Sequence, residues 1–309
     1  MSENEWGFVT IPTQADPEQR AISMLRIASE MSLKYYGTPL VVTISGGKDS
    51  SVCVELALRG GIPFEVQHNH TTADAPETVR FVRQEFARLE NLGVKCTINY
   101  PVYKGKRTSM WDLIPQKLMP PTRIMRYCCS VLKEQSGNGR FITTGVRWAE
   151  SSRRKRDRGV FEAYTRNKEN KIVLKGEEQE PSEIFESCKI AAKRIVNPIV
   201  DWSDKQVWSF LQDAKVPVNP LYECGMSRVG CIGCPMASKK RYAEFRRWPA
   251  YEKLYIRAFE RMMDERKRRG MAGNWQTGQD VFRWWMEEDV LPGQMSVDDY
   301  FDGEERAAL

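Results

Sequence analysis

The sequence predicts an α/β protein: an open, mostly parallel sheet with helices on both faces, followed by a C-terminal helical extension. Two observations carry that expectation. Between residues 40 and 99, short apolar runs alternate with helical patterns, the order that builds a parallel sheet. The first run, Leu40–Ile44, is rich in β-branched residues, as a strand buried in such a sheet requires. It passes straight into a glycine turn and a helix.

Taken in order, residues 1–38 form a lead-in with one amphipathic helix, Pro17 to Tyr36. Strands at 40–45, 63–68 and 94–99 alternate with helices at 49–60 and 76–92. "GRFITTGVR" supplies a further strand over 139–147, ending in Gly145 and Arg147. Residues 148–194 read as a surface insertion with three parts: the basic run "SSRRKRDR", a hairpin turning at Asn167 to Asn170, and the acidic stretch "EEQEPSE". "RIVNPIVDW" then leads into a short helix capped by Ser203. Residues 237–269 read as helices broken at Pro249. The last forty residues hold a helix with Trp284 and Trp285 and an acidic tail. The expected domains are therefore 1–38, 39–236 with its insertion, and 237–309.

The stretch "VVTISGGKDSSVCVELAL" carries the first functional signal. Gly46 and Gly47 permit backbone angles closed to other residues and let a ligand approach the main chain. Asp49, Ser50 or Ser51 can cap the following helix, and Val52, Leu56 and Ala57 supply its buried face. A helix N-terminus beside Lys48 and the hydroxyls of Ser45, Ser50 and Ser51 is an anion site, suited to phosphate, pyrophosphate or sulfate. A well-capped turn with no ligand is the simpler alternative.

Composition limits the function classes. The chain has 309 residues and a formal net charge of +6, and holds no run of 18 apolar residues, so no membrane span is expected. Its first twenty residues are polar and acidic, unlike a signal peptide, and a cytoplasmic location with reduced thiols is expected. Eight cysteines then do not form a disulfide framework. Cys53 and Cys96 read as core, and Cys188 as a helix residue without chemistry. The two histidines, His68 and His70, are too few for a histidine-rich zinc site or a Ser-His-Asp triad. They fall at the ligand-facing end of the second strand.

The other five cysteines fall in two tight groups, Cys128 and Cys129 in "RYCCSVLKEQ", and Cys224, Cys231 and Cys234 in "CGMSRVGCIGCP". A Cys-x-x-Cys pair can turn both sulfurs inward across a tight turn, which Gly230, Gly233 and Pro235 supply. Such thiols suit zinc or an iron–sulfur cluster. Adjacent cysteines crowd one small ion, whereas a cubane accepts both, so a [4Fe–4S] cluster is favoured over zinc. A redox dithiol and plain buried thiols are the other readings.

On these residues the chain resembles known families. "SGGKDS" resembles the PP-loop, S-G-G-x-D-S, of the ATP pyrophosphatases and adenylyl-sulfate reductases, the adenine nucleotide alpha-hydrolase-like fold. A PP-loop, then Cys-Cys, then Cys-x-x-Cys about a hundred residues on resembles the phosphoadenylyl-sulfate (PAPS) reductase family in its cluster-bearing branch. "PET" at 76–78, "TTGVRWAESSRR" at 143–154 and "NPIVDWSDKQVWSFL" at 197–211 also fit, so that the resemblance spans roughly residues 38–245. It implies that Cys128, Cys129, Cys231 and Cys234 ligate a [4Fe–4S] cluster. It implies that Ser45 to Ser51, Gly145 and Arg147, with Arg153 or Arg154, hold ATP or PAPS/adenylyl sulfate, with Mg2+ as an accompanying ion. The reductases use a cysteine in a C-terminal E-C-G-x-H segment. Here no cysteine follows Cys234, and "ECGM" occurs internally at 223–226. Cys224 is thus an extra thiol, a candidate catalytic residue beside Lys48, Asp49 and Arg147.

Three functions follow from the resemblance. The first is ATP-dependent activation and sulfur transfer, as in DNA phosphorothioation and tRNA thiolation systems, with a cysteine desulfurase as sulfur source. The second is thioredoxin-linked reduction of adenylyl sulfate or PAPS. The third is a non-catalytic nucleotide-binding cluster protein. Residues 237–269 hold 12 Lys and Arg against 5 Asp and Glu, interleaved with aromatics. They read either as a nucleic-acid face or as an amphipathic helix with a solvated basic side.

Overall fold

The computed structural model describes residues 16–134, 137, 139–164, 171–174, 193–271 and 275–286. The turn expected at Asn167 to Asn170, "EEQEPSE", Cys188 and the acidic tail lie outside them. The chain divides into two compact units, each discontinuous in sequence. One comprises Met1–Asn69, Pro76–Asn99 and Gln135–Val229; the other comprises His70–Ala75, Tyr100–Glu134 and Gly230–Leu309. These units cut across the linear domains drawn from the sequence, because residues 70–75 and 100–134 group with the C-terminal helices.

The first unit is an α/β layer structure. Helix α1 (Pro17–Tyr36) starts at Asp16, whose carboxylate accepts the Glu18 N–H, and ends at Gly37 in the left-handed region. Strand β1 (Leu40–Thr43), helix α2 (Lys48–Gly60), strand β2 (Phe64–Asn69), helix α3 (Pro76–Asn91) and strand β3 (Cys96–Asn99) follow the predicted order. Strand β6 (Arg140–Thr143), helix α6 (Ser152–Asp157), strands β7 (Phe161–Tyr164), β8 (Lys171–Leu174) and β9 (Lys193–Val196), and helix α7 (Asp204–Asp213) complete the unit. The sheet order is β3-β2-β1-β6-β9-β7-β8. The first five strands pair in parallel, and β7 and β8 join antiparallel. Cys53 on α2 is buried, its thiol pushed far up by burial, as a core residue should be.

Two expectations need correction here. The strand over 139–147 stops at Thr143, because the chain leaves the sheet to meet the start of α2. The 148–194 stretch is only partly a surface insertion. Its β7 adds to the sheet, and Phe161 and Ala163 are buried in the core. Glu162 is buried because Arg158, Tyr164 and the Asn197 amide all donate to its carboxylate.

The second unit pairs a two-stranded hairpin, β4 (Val102–Tyr103) and β5 (Lys106–Arg107), with five helices: α4 (Met110–Lys117), α5 (Tyr127–Leu132), α8 (Lys240–Arg247), α9 (Pro249–Arg268) and α10 (Gly278–Trp285). Pro249 opens α9 at a position that needs no N–H donor. Phe245, Tyr255, Phe259, Phe282 and Trp285 form one aromatic core. Trp248 is buried as well, and the Tyr242 and Tyr251 hydroxyls donate to the carbonyls of Met286 and Asp74. The aromatics interleaved with the basic run are therefore core and hydrogen-bonded residues, not a platform for stacking bases.

Candidate functional site

In the first unit, the end of β1 delivers Ser45 to Gly47 to the start of α2. The N-cap is Gly47, with no side-chain cap, so the helix begins at Lys48, one residue before any of the expected caps. Gly46 has φ +77°, and a Cβ there would stand 2.7 Å from Thr78 Cγ2 on α3. Gly145 serves a second close approach, since its Cβ would lie 2.8 Å from the Asp49 carbonyl carbon and 3.0 Å from Ser50 N. The hydroxyls hold the loop itself. Ser50 Oγ accepts from Ser45 N–H at 3.2 Å and donates to Gly47 O at 2.7 Å.

A charged network lies behind the loop. Lys48 Nζ is 3.1 Å from Asp49 and 3.4 Å from Asp204. Arg147 is 1 % exposed and donates to Asp49 at 2.6 Å, to Asp204 at 2.7 Å and to Trp202 O at 3.1 Å. The hydrogen bond from Arg147 holds the Asp204 carboxyl below its ordinary range, although burial opposes the shift. Arg147 thus spends its guanidinium on two carboxylates and a carbonyl, which makes it a positioning group for Asp49. Arg154 is paired with Glu150, and Arg153 lies 3.5 Å from Asp157, both on or beside the exposed α6.

Three residues escaped the sequence reading. The buried Asn219 amide donates to Gly46 O at 3.0 Å and to Thr78 Oγ1 at 3.1 Å. The Tyr222 hydroxyl accepts from Lys48 N–H at 2.9 Å, and burial raises its pKa. A tyrosine oxygen therefore occupies the first N–H of the helix, where an anion's oxygen would bind. Asp204 is the third. All three stand in stretches that carry the resemblance, "NPIVDWSDKQVWSFL" and "VPVNPLYECG", but nothing in their spacing marks them as loop partners. Exposed Cys224 follows Tyr222 by two residues, its N–H donating to Pro220 O and Gly225 turning the chain at φ +81°.

The second unit carries Cys128, Cys129, Cys231 and Cys234 on two segments. Cys128 and Cys129 occupy the first turn of α5. Cys231 bridges antiparallel to Asp74, and its thiol donates to Thr71 Oγ1 at 3.4 Å. Gly233 makes the turn to Cys234 at φ +72°, where a Cβ would stand 2.6 Å from Phe245 and 2.9 Å from Tyr255. The Glu244 carboxylate accepts the Gly233 N–H, and the Tyr255 hydroxyl donates to Ile232 O. The thiols influence one another. A hydrogen bond with Cys128, reinforced by Arg126, pulls the Cys129 thiol down, while Cys128 is pushed up. Arg126 donates to Cys129 Sγ at 3.3 Å. Lys133, another residue absent from the sequence reading, has its ammonium favoured by Cys231 first, then by Asp74, Cys129 and Cys234. No three thiols among the described residues lie within 4.8 Å of one another.

His68 is buried, with Nδ1 2.8 Å from Ile44 O, and His70 lies 3.7 Å from Asp74. No helix among the described residues is long and apolar enough to cross a membrane.

A parallel sheet with a glycine–lysine loop between its strand β1 and helix α2 defines a nucleotide-binding α/β protein. More specifically, residues 39–237 match the phosphoadenosine phosphosulfate reductase domain, and the chain belongs to that family. An uncharacterized protein of Methanocaldococcus jannaschii is 29 % identical over 90 % of this chain and 58 % of its own length. A second protein of that organism is 24 % identical over 86 % of this chain and 49 % of its own length. The chain thus spans about half the length of these two relatives. An adenosine 5'-phosphosulfate reductase of Bacillus cereus is 22 % identical over 76 % of this chain and 86 % of its own length. A crystal structure of PAPS reductase from Candida auris, a phosphate complex, aligns with TM-score 0.45 and 15 % identity, over 75 % of this chain and 97 % of that one.

Proposed function

We propose that this protein is an iron–sulfur enzyme that activates an acceptor with ATP at the 45–51 loop and transfers sulfur to it. The observation that carries the reading is the pairing of every arginine the resemblance directs at a sulfate. Arg147, Arg153 and Arg154 are each engaged by carboxylates, and the cation left beside the N–H groups at the head of α2 is Lys48, shared between Asp49 and Asp204. That arrangement suits a leaving pyrophosphate better than a sulfate ester. An acceptor oxygen attacks the α-phosphorus, and pyrophosphate departs onto the loop. Lys48 and the α2 N–H groups stabilise its charge there, once the Tyr222 hydroxyl yields its place. Asp49 and Asp204 are the carboxylates that would hold the nucleotide's Mg2+. Exposed Cys224, on the segment whose Asn219 and Tyr222 grip the loop, is the thiol that would carry sulfur as a persulfide from a desulfurase-type donor; its outer sulfur would displace AMP from the acceptor, and a thiol reductant would cleave the disulfide so formed.

The donor set of the second unit fits a [4Fe–4S] cluster held by Cys128, Cys129, Cys231 and Cys234. Adjacent Cys128 and Cys129 on one helical turn crowd a single tetrahedral ion, whereas a cubane accepts both. Lys133 and Arg126 supply positive charge against a thiolate-bound cluster. Such a cluster supplies charge and redox capacity when bound.

The second reading is reduction of adenylyl sulfate with Cys224 as nucleophile and a thioredoxin-like partner as reductant, favoured by the Bacillus relative's activity. The third is a non-catalytic nucleotide-binding cluster protein. Anaerobically purified protein separates them. Pyrophosphate and AMP from ATP support activation, and sulfite from adenylyl sulfate supports reduction. Neither product leaves the third reading. Cys224→Ser should abolish product in either catalytic case while iron content and ATP affinity stay unchanged.

A further inference from the structure

We propose that the hairpin Tyr100–Arg107, together with Lys117, is a binding surface for single-stranded nucleic acid. The turn at its tip uses Lys104 at φ +50° and Gly105 at φ +74°, the tight two-residue connection that matches strand twist. It projects Lys104, Lys106 and Arg107 into solvent. No Asp or Glu occurs between Tyr100 and Trp111, and Asp112 is already engaged by Ser109 and Arg261. None of Lys104, Lys106, Arg107 and Lys117 makes an ion pair among the described residues. The basic runs conspicuous in the sequence behave differently. Arg153, Arg154 and Arg156 on α6 each pair with a neighbouring carboxylate, and Arg268 and Arg269 on α9 pair with Glu265.

These unpaired cations alternate with aromatic rings. The Arg107 guanidinium lies 3.8 Å from the centroid of Tyr100, a residue that is 42 % exposed and whose ring also meets His70 in a T-shaped contact at 5.6 Å. Lys117 Nζ lies 4.5 Å from the Tyr103 centroid and 5.9 Å from that of Tyr127, and Lys104 lies 5.6 Å from Tyr103. Phosphates of a strand would meet the cations, and an unstacked base would stack against the exposed Arg107–Tyr100 pair. A duplex hides its base faces, and an acidic protein needs only the charges, so the exposed ring selects the single strand. This surface stands on the hairpin alone and does not depend on the sulfur-transfer reading.

The test is fluorescence anisotropy of the full chain with an RNA of about 20 nucleotides and a DNA of the same sequence, long enough for one such site. Salt is varied between about 50 and 200 mM. The triple variant Lys104→Ala, Lys106→Ala, Arg107→Ala should bind about tenfold more weakly at low salt. It should also lower the logarithmic salt slope by about 2, roughly 0.7 for each lost phosphate contact. Tyr100→Ala should weaken binding about tenfold with the slope unchanged, a split that a merely structural role would not produce. Preference between the two oligonucleotides identifies the natural strand. Lys106→Glu, one exposed substitution on an intact hairpin, should weaken binding as well. ATP titration in parallel should be unaltered, so failure of the nucleotide reading registers separately. Parental affinity and slope in the triple variant, no binding of either oligonucleotide, or equal binding of polyglutamate would overturn the proposal.

Discussion

The nucleotide loop and the thiol set are built on opposite plans. The loop is contiguous: seven residues of one strand–helix junction carry nearly all of its ligand-facing groups, and serine hydroxyls close it locally. Distant residues only buttress it, through Arg147, Asp204, Asn219 and Tyr222. The thiol set is assembled. Its four sulfurs come from α5 and the 231–234 turn, and residues 71–74 and the α9 aromatics fix their backbone. A contiguous site survives loss of a distant partner better than an assembled one, and four substitutions probe that difference.

The largest effect is expected at Gly233. Replacing it with Ala imposes left-handed strain and drives a Cβ into Phe245, Tyr255 and Trp285. Together these cost about 2–4 kcal/mol. Iron content should fall along with the denaturation midpoint, while ATP affinity persists. Retained iron and an unshifted midpoint would show that the turn is not held by the aromatic core.

Arg147→Ala attacks the buttress of the loop. It leaves Asp49 and Asp204 to share Lys48 alone, and because both carboxylates are partly solvated the loss should be about 2–3 kcal/mol, below that of a fully buried pair. Weakened ATP binding with normal iron is the expected pattern. Loss of iron with unchanged ATP affinity would erase the contrast drawn above.

Tyr222→Phe is milder. Removing the hydroxyl costs about 1 kcal/mol of one hydrogen bond and frees the Lys48 N–H. Pyrophosphate should then bind a few-fold more tightly in calorimetric titration. Weaker binding would mean that the hydroxyl contacts the ligand instead of standing in its place.

The smallest effect concerns pH. Asp204 is held below its ordinary range by Arg147, so it adds stability above the unfolded-state value of about 3.9. That contribution disappears as pH falls through the lower folded value. Its side chain is 69 % exposed, so the gain is under about 1 kcal/mol. Asp204→Asn should flatten the stability profile below about pH 4. A profile identical to that of the parent chain would remove the ion pair from the stability of the loop.

Much of the fold was legible locally. Helix α1 runs from Pro17 to Tyr36 as its capping Asp16 and terminal Gly37 require, and the β-α alternation through Asn99 follows hydrophobic period and turn residues. The 45–51 loop was legible because its function lies in adjacent residues. The place of β7 in the sheet was not legible, because its neighbour β9 and the Asn197 amide that donates to buried Glu162 lie far along the chain, at residues 193–197. The β4–β5 hairpin went unseen because two-residue strands carry no periodicity.

By itself, then, the sequence determined the parallel sheet, the glycine turn with Lys48 at the head of α2, and the supply of thiols in two tight groups. These follow from neighbours along the chain, where propensity, spacing and residue chemistry act within a few residues. Tertiary structure alone decided that Arg147 is spent on Asp49 and Asp204, that a Tyr222 hydroxyl fills the first N–H of α2, and that Cys231 bridges to Asp74 and donates to Thr71. It also decided that the aromatics of 237–269 are core. Each of these depends on which distant group reaches a buried charge or an open donor first, and desolvation makes that choice only once the chain has packed.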